Sequence, residues 1–131
     1  MGSISVLIVD DDERFASALE ALLAADGRFD VVGWASNGAE AISLVAKRRP
    51  RVVMMDLAMP VMDGVAATRA IRGSFPETRV VVVTGADAPD GLEQALAAGA
   101  AAHLTKGRLA DDLLDAVAAA AGEAASTAAR D

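Results

Sequence analysis

Cysteine and tyrosine are absent from this 131-residue chain, and its rings come from one Trp and three Phe. Without cysteine, disulfides and thiol chemistry are excluded, although the redox compartment stays open. With so few rings, the core must be built from Val, Leu, Ile and Met. Much of the 53 % apolar content is alanine, a good helix former. No apolar run approaches the length of a membrane span, and no basic segment followed by a long apolar stretch marks a secretory signal. Cytoplasmic residence without membrane contact is the expectation. Basic residues are in deficit: 12 Lys and Arg against 19 Asp and Glu give a formal net charge of -7. That balance argues against direct nucleic-acid binding and suits basic partners or metal ions. There is no GxxxxGKS or GxxxxGKT loop, and no GxGxxG follows the first apolar run, so no nucleotide cradle is evident.

What is present is alternation. Ile4 to Val9 is a short apolar run that stops at Asp10-Asp11-Asp12 and reads as a buried strand. Phe15, Leu19, Leu22 and Leu23 then recur at helical spacing, behind a cap from Asp11 or Asp12, as far as Gly27. Val31 to Ala35 reads as strand, Ala39 to Arg48 as helix ended by Pro50, and Val52 to Met55 as a third strand reaching Asp56. After a loop at Met59-Pro60 and a turn in which Asp63 caps, Val65 to Ile71 is helical. Val80 to Val83 is a strand ending at Thr84, Leu92 to Ala98 a helix, and Ala100 to Leu104 the last strand. Leu109 to Ala121 closes the pattern, with Leu109, Leu113, Leu114 and Val117 on one face.

Five strands alternating with five helices predict an α/β fold, a doubly wound five-stranded parallel sheet covered on both sides. A closed eight-stranded barrel needs about twice this length. Residues 1–121 read as one domain. Residues 122–131 are Ala-rich and read as an extension of the last helix or the start of a linker.

In an open parallel sheet, chemistry gathers beyond the carboxyl ends of the strands. That edge carries Asp10 and Asp11 after strand one, Asp56 after strand three, Thr84 after strand four and Lys106 after strand five. Each alone has a plain reading: a polar turn or cap for the aspartates, a β-former for Thr84, a surface lysine for Lys106. Together they make a chemical set. Crowded carboxylates disfavour their own ionisation, and a hard divalent cation removes that penalty. Mg²⁺ takes oxygen ligands and keeps some waters, so Asp10, Asp11 and Asp56 are candidate ligands, with the Ala58 carbonyl beside them. An aspartate can attack phosphorus to form an acyl phosphate. Mg²⁺, Lys106 and the Thr84 hydroxyl could then each face a phosphoryl oxygen, helped by backbone N–H groups near Ala58 and Gly85.

The blocks VLIVDDDE, MMDLAMPVMDG, VVVTGA and HLTKG, in that order over roughly residues 4 to 121, resemble the receiver domain of bacterial two-component response regulators. The resemblance implies a flavodoxin-like strand order 2-1-3-4-5. It implies phosphotransfer to Asp56 from a histidine kinase or a histidine phosphotransfer protein. It also implies Mg²⁺ held by Asp10, Asp11, Asp56 and the Ala58 carbonyl, with Lys106 on the phosphoryl group. Thr84 would reorient towards the phosphate and bias the surface formed by helix four, strand five and helix five. A homodimer, an output domain or a partner protein would read that surface.

Two positions depart from the family pattern. Many receivers carry Tyr or Phe where this chain has His103, a switch position whose imidazole can titrate near neutrality. Gly107 follows Lys106, where the family often has Pro. The VTGADAPDG and HLTKG blocks are most similar to receivers that precede a helix-turn-helix output domain of the LuxR kind.

Two other readings stand beside the switch. An aspartyl-nucleophile phosphohydrolase would need a second carboxylate two residues after the nucleophile, where this chain has Ala58. A pseudo-receiver would bind partners without phosphotransfer. The switch itself has limited catalytic character, confined to its own phosphorylation and dephosphorylation.

Overall fold

The fold was obtained as a computed structural model. It describes residues 3–59, 62–85, 89–106 and 109–122, with backbone alone at residues 89–90 and 109–112. Five strands, β1 (Ile4–Val9), β2 (Phe29–Ala35), β3 (Val52–Asp56), β4 (Arg79–Thr84) and β5 (Ala102–Thr105), alternate with five helices. These are α1 (Glu13–Asp26), α2 (Gly38–Arg48), α3 (Gly64–Ser74), α4 (Pro89–Ala97) and α5 (Leu109–Ala120). All strand pairs are parallel. Their order is β2-β1-β3-β4-β5, as the resemblance implied.

The three central strands β1, β3 and β4 are short, mostly apolar and buried runs because both faces of the sheet are covered. Successive side chains point to opposite faces, and the core divides accordingly. Val6, Ile8, Met54, Val81 and Val83 pack with Leu19 and Leu23 of α1 and Leu113 and Val117 of α5. Leu7, Val9, Val53, Met55 and Val82 pack with Ala41 and Val45 of α2, Ala67 and Ile71 of α3 and Ala95 of α4. The chain moves one way from β1 to β2 and the other way thereafter. A right-handed crossover therefore puts α1 on one face and α2, α3 and α4 on the other. The direction reverses between β1 and β3, which opens a crevice at their carboxyl ends.

Local chemistry sets the helix ends. The Asp12 side chain accepts from the N–H groups of Arg14 and Phe15 at 3.0 and 3.3 Å, so Asp12 rather than Asp11 caps α1. Gly27 ends that helix in the left-handed conformation at φ 91°. Asn37 caps α2, and the Glu40 carboxylate reaches back to the Ser36 N–H at 2.7 Å. Asp63 caps α3 through the Ala66 N–H at 2.9 Å.

Some element limits differ from the sequence reading. β2 starts two residues earlier, at Phe29, because Ile4 and Phe29 already face each other across the sheet. β5 starts two residues later, at Ala102. The Ala100 N–H is taken by the Ala95 carbonyl at the end of α4, and sheet pairing begins with Ala101 N–H to the Val80 carbonyl. On α5, Leu113 and Val117 are buried and Leu114 is partly so. The Leu109 side chain, Gly107 and residues 123–131 lie outside the described residues. Among the described residues, no helix is long and apolar enough to cross a membrane.

Candidate functional site

Register carries the candidate residues to one edge. Val9 pairs with Met55, so Asp10 and Asp56 follow side by side on the two strands flanking the crevice. Asp56 pairs with Val83, and Thr84 comes one residue further; Thr84 pairs with Thr105, and Lys106 follows.

Asp10 is 1 % exposed and Asp56 6 %, while Asp11 is exposed to solvent. One carboxylate oxygen from each of the three can be chosen so that all lie within 4.8 Å of one another. Asp10 Oδ1 accepts the Asp12 N–H at 2.8 Å. Asp10 Oδ2 is buried with no hydrogen-bond donor aligned on it, yet Lys106 Nζ stands 3.1 Å away as its counter-charge. The same ammonium is 3.7 Å from Asp56 Oδ1. Lys106 thus bridges both buried carboxylates, and its Nζ also lies 4.5 Å from the centre of the Phe15 ring.

Burial, then the negative charge of Asp10, pushes the Asp56 carboxyl up to about 6; the Lys106 charge and the Ala58 N–H oppose the rise without cancelling it. For Lys106, burial alone would lower the pKa. Its contact with Asp10 and the charges of Asp56 and Asp10 outweigh that and hold it above the ordinary lysine value.

The donor set is all carboxylate, partly buried, with one oxygen short of a donor. This is a set that suits a hard divalent cation such as Mg²⁺. Its neighbouring loop is braced at two glycines. The Gly38 N–H donates to the Met62 carbonyl at 3.0 Å and the Gly64 N–H to the Leu57 carbonyl at 3.1 Å. A side chain on Gly64 would run into the Asp56 carbonyl oxygen and Leu57 Cα. The chain after Asp56 is therefore folded back tightly, which keeps Ala58 beside the carboxylate.

Thr84 is buried at the end of β4, and Gly85 beyond it is exposed, with open space where a side chain would be. His103 is exposed and pairs with Val82. By strand alternation, Thr84 and His103 stand on the same face of the sheet.

Two neighbours of the site were not singled out from sequence. Phe15 was read only as a core-facing helix residue, and nothing in its spacing indicates a lysine beside it. Trp34 donates its indole N–H to the Asp10 carbonyl at 2.8 Å. A lone tryptophan near a strand end was the available signal.

The profile of the response regulator receiver domain matches residues 6–118. The transcriptional regulatory protein DegU of Brevibacillus brevis is 35 % identical over 114 residues, covering 87 % of this chain and 48 % of that protein. A protein-glutamate methylesterase/protein-glutamine glutaminase of Geobacter metallireducens is 42 % identical over 105 residues, covering 79 % of this chain and 30 % of that protein. Among solved structures, the signal receiver domain of NarL from Mycobacterium tuberculosis superimposes with a TM-score of 0.88 at 33 % identity, covering 93 % of this chain and 98 % of that domain. The chain therefore spans half or less of the length of these two curated relatives, and nearly the whole of an isolated receiver structure.

Proposed function

Because the chain belongs to the response regulator receiver domain family, we propose that it is a phosphorylation-dependent switch with Asp56 as phosphoacceptor. The observation that carries this reading is the meeting of Asp10, Asp11 and Asp56 within 4.8 Å, with one ammonium against the two buried members.

The phosphoryl group comes from a phosphohistidine on a histidine kinase or a histidine phosphotransfer protein. The ionised Asp56 carboxylate attacks phosphorus. A P–O bond forms, the P–N bond breaks, and its electron pair stays on the leaving imidazole. Asp10, Asp11, Asp56 and the Ala58 carbonyl would hold Mg²⁺, which when bound supplies positive charge against the carboxylates and the phosphoryl oxygens. Lys106 faces a phosphoryl oxygen, and the N–H groups of Ala58 and Gly85 donate to others. The Thr84 hydroxyl turns towards the phosphate, and His103, on the same sheet face, responds at the surface of α4, β5 and α5. A homodimer, a partner protein or an output domain of the helix-turn-helix kind reads that surface, in the cytoplasm.

Intact mass after incubation with acetyl phosphate and Mg²⁺ tests the reading. One added phosphoryl group raises the mass by about 80 Da. The gain is expected in the native chain and absent in Asp56→Ala or with EDTA. A gain that survives Asp56→Ala would place the acceptor elsewhere. No gain in the native protein from either acetyl phosphate or a phosphohistidine donor would favour a binding module without phosphotransfer.

A further inference from the structure

The acidic turn is held from outside the acidic cluster. Asp10 donates its backbone N–H to the Ala35 carbonyl at 2.9 Å. In a parallel ladder, the carbonyl of the same residue points to the same neighbouring strand. β2 ends at Ala35, so the strand stops short of supplying the next ladder donor. The Trp34 indole supplies one instead, at 2.8 Å from the Asp10 carbonyl oxygen.

That carbonyl belongs to the peptide joining Asp10 to Asp11. A peptide is planar, so fixing its oxygen fixes the plane between the two carboxylates. The ring itself contributes little to the core: Trp34 is 41 % exposed and borders a cleft of about 230 Å³ beside α1, lined also by Ile8, Ala16 and Ser17. Its specific contribution is the hydrogen bond.

We propose that Trp34 is a positioning residue for the acidic cluster, its indole N–H orienting the Asp10–Asp11 peptide so that both carboxylates are preorganised for a divalent cation. The inference rests on the cation-dependent phosphoacceptor reading and deepens it. Preorganisation that comes from one hydrogen bond is worth about three- to tenfold in affinity.

The test is Mg²⁺ titration of the full chain by calorimetry, in the native protein, Trp34→Phe and Trp34→Gln. Phe keeps a ring and loses the N–H. Gln loses the ring, but its Nε2 is as many bonds from Cβ as the indole Nε1. Positioning by hydrogen bond predicts weakening of about three- to tenfold in Trp34→Phe and recovery of most of it in Trp34→Gln. Equal affinity in Trp34→Phe and the native protein, or weaker binding in Trp34→Gln than in Trp34→Phe, would overturn the proposal. Absence of Mg²⁺ binding in the native protein would instead overturn the phosphoacceptor reading beneath it. Thermal unfolding in EDTA separates packing from positioning: a ring-packing role would leave Trp34→Phe the more stable of the two variants and the better binder.

Discussion

Replacing Asp56 by Asn should stabilise the metal-free protein, and the size of the gain is set by burial. Burial first, and the Asp10 charge second, lift the Asp56 carboxyl from its ordinary 3.8 to about 6. Between those values the folded chain holds a proton that the unfolded chain has released. Stability of the metal-free protein therefore falls as pH rises through that window. Below about pH 4 both states are protonated and the penalty vanishes; above about pH 6 it is fully present. At about 1.4 kcal/mol per pH unit, the rise corresponds to about 3 kcal/mol. The Asp56 side chain is only 8 % exposed, so little is lost to solvent screening, and local relaxation sets a working range of about 1–3 kcal/mol. Asn keeps the shape and carries no charge, and carboxylates distant from Asp56 titrate in both proteins and drop out of the difference. The assay is urea unfolding in EDTA at several pH values. The two proteins should have matching stability near pH 4, and Asp56→Asn should be the more stable by about 1–3 kcal/mol near pH 7.5. Saturating Mg²⁺ should narrow or reverse that gap, because ligand at about 100 times its Kd adds about 2.7 kcal/mol to the protein that binds it. A variant no more stable than the native chain near pH 7.5, or a gap that persists unchanged to pH 4, would refute the reasoning.

Three further outcomes follow from the same geometry. Lys106→Ala removes the cation shared by Asp10 and Asp56, so phosphorylation by acetyl phosphate should slow by about a hundredfold; an unchanged rate, measured by intact mass over time, would remove Lys106 from the site. Gly64→Ala forces the loop after Asp56 apart at the Asp56 carbonyl, and should cost about 1–3 kcal/mol in urea unfolding and weaken Mg²⁺ binding with it; full stability would mean that the fold-back is not needed. His103→Tyr should change the affinity of the phosphorylated protein for itself or for its partner, measured by analytical ultracentrifugation on both sides of neutrality. Equal affinities throughout would deny His103 a part in the switch.

Much of the architecture was legible in the residue pattern because both core periods are local. The runs ISVLIV, VVMMD and RVVVVT announce buried strands, and Asp63 announces a helix start, whereas the choice of Asp12 over Asp11 and the cap at Asn37 emerged from their hydrogen bonds in the fold. The limits of β5 were less legible. Ala100 to Leu104 contains no strong β-former run, and the true start depended on which carbonyl captured the Ala100 N–H. Strand order came from motif resemblance and not from periodicity, which is local to each strand.

The site divides the same way. Sequence by itself determined which chemistry the chain carries: three carboxylates, a hydroxyl and an ammonium, each just past an apolar run, with no thiol to compete. Tertiary structure decided which of them act on one another. The crossover reversal between β1 and β3 set Asp10 beside Asp56, 46 positions apart in the chain. The β4–β5 pairing brought Lys106 to 3.1 and 3.7 Å from their oxygens, packing raised the Asp56 pKa by burial, and the β1–β2 pairing gave the Asp10 carbonyl an indole donor from the neighbouring strand. Caps, turns and hydrophobic periods depend on residues within a few positions, so they can be read along the chain. Register, burial and charge proximity depend on contacts between distant segments, and those exist only once the sheet has closed around its core.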